Sequence, residues 1–167
     1  MKWYTRAWQR GDDEADPSPA YSAYIRQLAP ELPPHILAFA SSERRHLAVD
    51  DANVDRAELD SSAGMFRLQL LNGDLQTGYG VLRLEFEEAT VTEPPLDEVE
   101  PLLKEPNTEF LAHEVERLGD GRYEVRFLLW PRGELHVRCR DVRNSWESVP
   151  ARSGFRSEVV GFPEVGT

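Results

Sequence analysis

An α+β fold is predicted, with about six mostly antiparallel strands in a sandwich-like or partly closed sheet preceded by two short helices. Three observations carry this expectation. Apolar residues recur at helical spacing before Asp50 and alternate with a period of two after it. The alternating runs are separated by short turns rich in Gly, Ser and Asp, which join neighbouring antiparallel strands. The 167 residues are 40% hydrophobic and 10% aromatic, a composition that folds.

The acidic, proline-punctuated stretch "DDEADPSPA" reads as a loop. Tyr21, Tyr24, Ile25 and Leu28 then mark the first helix, with Ser18 as N-cap and Pro19 in the first turn. Pro30 stops it. Pro33 and Pro34 open a second helix, "PPHILAFASSERR", with Ile36, Leu37 and Phe39 facing inward. The predicted strands are "ANVDRAEL", "MFRLQLLN", "GYGVLRLEFEEATV", "TEFLAHEVERL", "YEVRFLLW" and "ELHVRCRDV", with a weak helix at "LDEVEPLLKE" and one further short strand at "RSEVV". One structural unit results: a helical segment at 1–47 packing on the sheet, an antiparallel β domain at 48–146, and a tail at 147–167. Trp3, Tyr4 and Trp8 are expected to pack on the sheet or helices.

A net charge of −11 opposes nucleic acid and anionic membranes, because its field repels polyanions. No apolar run approaches the ~20 residues that cross a bilayer. The N-terminal stretch has no apolar core of a secretory signal. The single cysteine, Cys139, has no internal disulfide partner, which fits a reducing cytoplasm. Only Lys2 and Lys104 are lysines among 19 basic residues, a bias of GC-rich bacterial codon usage. Acids concentrate between Glu85 and Glu109, a segment that reads as a solvated edge and loop.

The densest chemistry is "HLAVDDANVDRAELDSS", which starts at His46. Asp51, Asn53 and Asp55 fill the first ligand positions of an EF-hand loop, but Arg56 stands where the turn needs Gly and Ser62 where the last carboxylate belongs. The expected role of Asp50 and Asp51 is a structural corner, accepting backbone N–H bonds where the chain enters the sheet. No pair of these carboxylates is placed by sequence across a cleft, as glycoside hydrolysis requires. Cys139 and His136 leave opposite faces of one strand, so they form no thiol–imidazole pair. His35, His46, His113 and His136 lack metal-ligand spacing, and Gly78 and Gly80 lack the context of a phosphate loop. No cofactor, metal or catalytic residue is assigned.

The last hairpin offers a candidate interaction face. With Tyr123, Val125 and Phe127 inward, strand alternation places Arg126, Leu128 and Trp130 outward, together with His136, Arg138 and Arg140 of the next strand. Carboxylates could neutralise these arginines. Otherwise Arg and Trp suit a partner surface.

The opening "MKWYTRAW" resembles the Met-Lys-aromatic-aromatic-Thr-x-x-aromatic start of a bacterial family known as domain of unknown function 4085. "VDDANV", Val49 to Val54, resembles that family's Leu-His-Asp-Ala/Ser-x-Val entry to the first strand, with Asp50 in place of His. "GDGRYEVRFLLWPRGELHVRCRDV" resembles its C-terminal pair of strands. The likeness covers some two thirds of the chain and is weakest in residues 90 to 107. It implies an α+β fold and a cytoplasmic bacterial protein, and no activity.

The functional expectation is a non-enzymatic, immunity-like module that binds a protein partner through the Arg/Trp face. The alternative is a small-molecule-binding protein or hydrolytic enzyme with its site between the helices and the sheet. A pocket of convergent polar groups there would favour the alternative.

Overall fold

The computed structural model describes residues 1–41, 49–76, 78–150 and 157–163. His46 and the end of the second predicted helix, residues 42–45, lie outside them.

The class is α+β and mostly β. A single nine-stranded sheet runs β4-β7-β6-β5-β1-β2-β3-β8, with β9 beside β1. The strands are β1 (Ala52–Asp60), β2 (Met65–Asp74), β3 (Gly78–Glu87), β4 (Thr90–Glu93), β5 (Glu109–Arg117), β6 (Tyr123–Trp130), β7 (Glu134–Cys139), β8 (Asp141–Val149) and β9 (Glu158–Val160). Two corrections follow. The sheet holds nine strands instead of six, and it is not closed, because β4 and β8 remain edges.

Two of the three surplus strands, β4 and β8, come from breaks inside predicted ones. The run from Gly78 to Val91 divides where Glu88 takes a left-handed φ of 48°, and Ala89 N–H is captured by Gly64 carbonyl at 2.8 Å. The run from Glu134 to Val142 divides at Arg140, whose N–H bonds Glu87 carbonyl at 2.9 Å. Beyond these breaks, β4 and β8 pair with different neighbours. The sheet therefore continues past Trp146, through Val149, and β9 adds a strand where "RSEVV" predicts one.

Two halves share the core. Phe66 and Phe86, from β2 and β3, stack at 5.5 Å, and Phe86 meets Phe127 of β6 edge-on at 6.3 Å. Phe110 of β5 completes the aromatic row against Phe127. Strands of the two halves pair directly where Ala52 and Asn53 of β1 face Phe110 and Glu109 of β5. Past that point the two strands part. The edge of β1 pairs in parallel with β9 through Arg56, Ala57 and Glu58.

Helices cover the other side of the fork. α1 (Arg6–Gln9) is capped by the Thr5 hydroxyl, which accepts from Trp8 N–H. α2 (Ser18–Leu28) starts at the residue expected to cap it, and Ser18 N–H donates to Asp16 carboxylate instead. Pro30 ends it in a 3₁₀ turn. α3 (Pro34–Ser41) buries Ile36, Phe39 and Ala40 and packs on β8 and β5. α4 (Leu96–Lys104) buries Val99, Leu102 and Leu103.

α2 also finishes the free edge of β5. The Tyr21 hydroxyl accepts Val115 N–H at 2.8 Å, and the Tyr24 hydroxyl accepts Arg117 N–H at 3.2 Å. These are alternate N–H groups, the spacing at which a neighbouring strand would have bonded. Two tyrosines stand in for a missing strand.

Candidate functional site

Two regions bear on function: the outer face of β5-β6-β7, and a cleft beside the fork.

The cross-strand register places Glu114 opposite Arg126 and Arg126 opposite His136, with Glu124 opposite Arg138. Arg126 donates to Glu114 at 3.2 Å, to Glu116 at 2.5 Å and to Glu124. Burial alone would lower its pKa; the hydrogen bonds of Glu124 and Glu116 outweigh this and hold it above the ordinary arginine value. His136 bonds Glu134 at 2.7 Å. Burial would raise the Glu134 pKa, but His136 and the Met1 ammonium hold it at about 2. Arg138 lies 3.5 Å from Glu124. Arg140 falls in the break after β7 and pairs with Glu88 at 3.0 Å. Trp130, at the end of β6, is 45% exposed. The structure thus brings Arg126, His136 and Arg138 together, sets Arg140 and Trp130 apart, and places carboxylates on all three arginines.

This face is also covered. Lys2 N–H and Trp3 N–H donate to the Glu114 carboxylate at 2.6 and 2.9 Å, and the Met1 ammonium donates to Glu134 at 2.6 Å. Glu114 is fully buried, as is Leu128, which strand alternation alone would expose. Trp3 stacks on Tyr24 at 4.6 Å and meets Tyr21 at 5.2 Å. Trp3 and Tyr4 pack on the core, as the sequence leads one to expect, and Tyr4 holds Trp8 edge-on.

At the corner before β1, Ala52 N–H bonds Val49 carbonyl at 3.0 Å and Asp51 adopts φ 57°. The bond that closes this turn is backbone to backbone. Asn53 donates to Thr108 carbonyl and Asp55 accepts from Gln69, so the carboxylate row is dispersed among separate partners. No three His, Cys, Asp or Glu side chains among the described residues converge as metal ligands. Cys139 is buried, which raises its thiol pKa to about 12 and leaves it unreactive.

The cleft occupies about 610 Å³ between the helices and β5. Tyr4, Trp8 and Tyr21 supply aromatic wall, Ile25, Leu37 and Ala40 aliphatic wall, and Leu111, Ala112 and His113 the sheet side. Ser18, Ser22, Arg26, Ser41 and Asp50 add polar groups. His113 reaches this position through a bulge at Leu111, which lets Phe110 and His113 share the inward face three residues apart. Its ring stacks on Phe39 at 4.3 Å, and Nε2 donates to Phe39 carbonyl at 2.9 Å. Nδ1 is then the acceptor nitrogen of a neutral imidazole. Burial lowers its pKa, against smaller opposing effects of the Phe39 bond, Asp50 and Glu114.

Of the cleft residues, Tyr4, Trp8, Tyr21, Ile25 and Leu37 stood out in sequence as packing residues, Ser18 as a cap, Asp50 as a corner and His113 as a histidine without metal-ligand spacing, none of them as part of a common site. They come from segments far apart in the chain, and nothing in their spacing joins them. The sole local signal for His113 was a polar residue directly after the apolar run Phe110, Leu111 and Ala112.

The two regions give contrasting expectations. Arg126→Gln leaves Glu114 buried without its cation and should cost about 3–5 kcal/mol in urea unfolding. Arg140→Gln, at an exposed pair, should cost less than about 1 kcal/mol. For His113, the unfolded imidazole takes up a proton below about pH 6.5 while the folded one resists it. The stability from keeping it neutral is therefore present above that pH and lost as pH falls, and His113→Gln should flatten the decline. A stability profile on acidification identical to wild type would contradict this assignment.

Comparison with protein-family models, with curated proteins and with solved structures returns no match for this chain, so its function is read from the chemistry of the cleft itself.

Proposed function

We propose that this protein binds a small molecule in the cleft between its helices and its sheet. The observation that carries the reading is the cleft's make-up: about 610 Å³, three aromatic rings, and polar groups from α2, the β1 corner and β5 converging on one space. That volume lies within the range of small-molecule sites, which are mostly apolar with a few polar groups that fix orientation.

Binding without turnover fits the local hydrogen bonds. Ser41 hydroxyl donates to Leu37 carbonyl, and His113 donates to Phe39 carbonyl. Each is held by α3 backbone, so they are not paired as nucleophile and base. Protein binding through Arg126, Trp130, His136, Arg138 and Arg140 is the weaker reading. Its arginines already have carboxylate partners, and residues at the N-terminus bond to the same face. Kinship with the domain of unknown function 4085 family is proposed on the "MKWYTRAW" motif, whose backbone N–H groups seat on Glu114. The cytoplasmic bacterial setting is proposed with it.

A fragment screen by thermal shift tests the reading. Fragments should raise the melting temperature of wild type, and replacing Ala29, which lines the cleft, by Trp to fill it should abolish those shifts while the protein remains folded. Fragment shifts that persist unchanged in Ala29→Trp would place binding elsewhere and contradict the proposal.

A further inference from the structure

Resting on the cleft being a ligand site, we infer that its ligand is an organic cation, an amine or quaternary ammonium on an apolar body. Three features of the cleft favour positive charge. The first is Asp50. Its carboxylate lines the cleft and is exposed, and it forms no salt bridge among the described residues. The other carboxylates that act on Tyr4 are already engaged: Glu114 with Arg126, and Asp16 with Ser18 N–H.

The second is the aromatic wall. Tyr4 meets Trp8 at 5.5 Å and Tyr21 at 5.6 Å, with interplanar angles of 69° and 71°. All three side chains line the cleft, and a cation within about 6 Å of a ring face is attracted by its quadrupole. The same aromatic cluster already holds one cation: Lys2 Nζ lies 4.7 Å from the Trp3 ring, which itself packs on Tyr21.

The third is His113, held neutral with Nε2 donating to Phe39 carbonyl. Its Nδ1 is an acceptor, able to take a proton-bearing N–H but not to pair with a carboxylate. An anion entering the cleft would face Asp50 within a chain of net charge −11. Among the described residues, Arg26 is the one arginine or lysine that lines the cleft. It is exposed, and its Nε already donates to Ser22 carbonyl.

Three probes sharing one body separate the charge from the apolar contribution: 2-phenylethylamine, 2-phenylethanol and phenylacetate, each titrated by calorimetry. The amine should bind wild type at least about ten-fold more tightly than the alcohol, with the anion weakest. Asp50→Asn should weaken the amine by about ten-fold and leave the alcohol unchanged. Arg26→Gln should not weaken the amine. Equal affinity for amine and alcohol, or an amine affinity indifferent to Asp50→Asn, overturns the cationic ligand while leaving the cleft as a binding site. No binding by the amine overturns it too, and the fragment screen then decides whether the cleft binds anything.

Discussion

The fold turns on the parting of β1 and β5. These strands join the two halves of the sheet through only two residue pairs and then diverge. Each is left with a row of backbone N–H and C=O groups that must find partners or water. The edge of β1 receives β9, a three-residue strand in parallel pairing. The edge of β5 receives the hydroxyls of Tyr21 and Tyr24. A helix rather than a strand therefore completes β5. A helix is wider than a strand and reaches the edge only by long side chains, so space remains between α2, α3 and the sheet. The cleft is that space.

On the opposite face, a buried carboxylate does comparable service. Glu114 gathers three backbone N–H groups of the N-terminal segment, the third from Tyr4 at 3.4 Å, and one guanidinium. A lone buried carboxylate is strongly unfavourable, and it is tolerated when its lone pairs are all engaged. This network anchors residues 2–4, which puts Trp3 on Tyr21 and Tyr24 and Tyr4 against Tyr21. The tyrosines that finish the edge of β5 are themselves buttressed by a segment bound to β5's other face. Both sides of one strand thus set the position of α2.

The alternating hydrophobics of β2, β3 and β6 and the 3.6-residue spacing of α2 and α3 were legible because each is a local pattern. The divisions at Glu88 and Arg140 were not. Glutamate at positive φ has no sequence signature, and both breaks depend on carbonyls, of Gly64 and Glu87, that only the folded chain brings near. Strand parity correctly grouped Arg126, His136 and Arg138. The hairpin of "TEFLAHEVERL" and "YEVRFLLW" was legible from its short turn, but not the register that stands Glu114 and Glu116 beside Arg126. Asp50 was legible as a turn residue and not as part of a cleft, because residues near 4, 21, 40 and 113 meet it only after folding. A bulge at Leu111 further hid His113, by shifting the parity that a simple alternation would assign.

Amide hydrogen exchange in Tyr21→Phe tests the substitution of a tyrosine for a strand most directly. Removing the hydroxyl leaves Val115 N–H buried without an acceptor, which costs about 1–3 kcal/mol. The account predicts that Val115 exchange accelerates well beyond that of Val125 on the adjacent strand, while Arg117, held by Tyr24, changes less. Val115 protection and global stability both unchanged from wild type would contradict it.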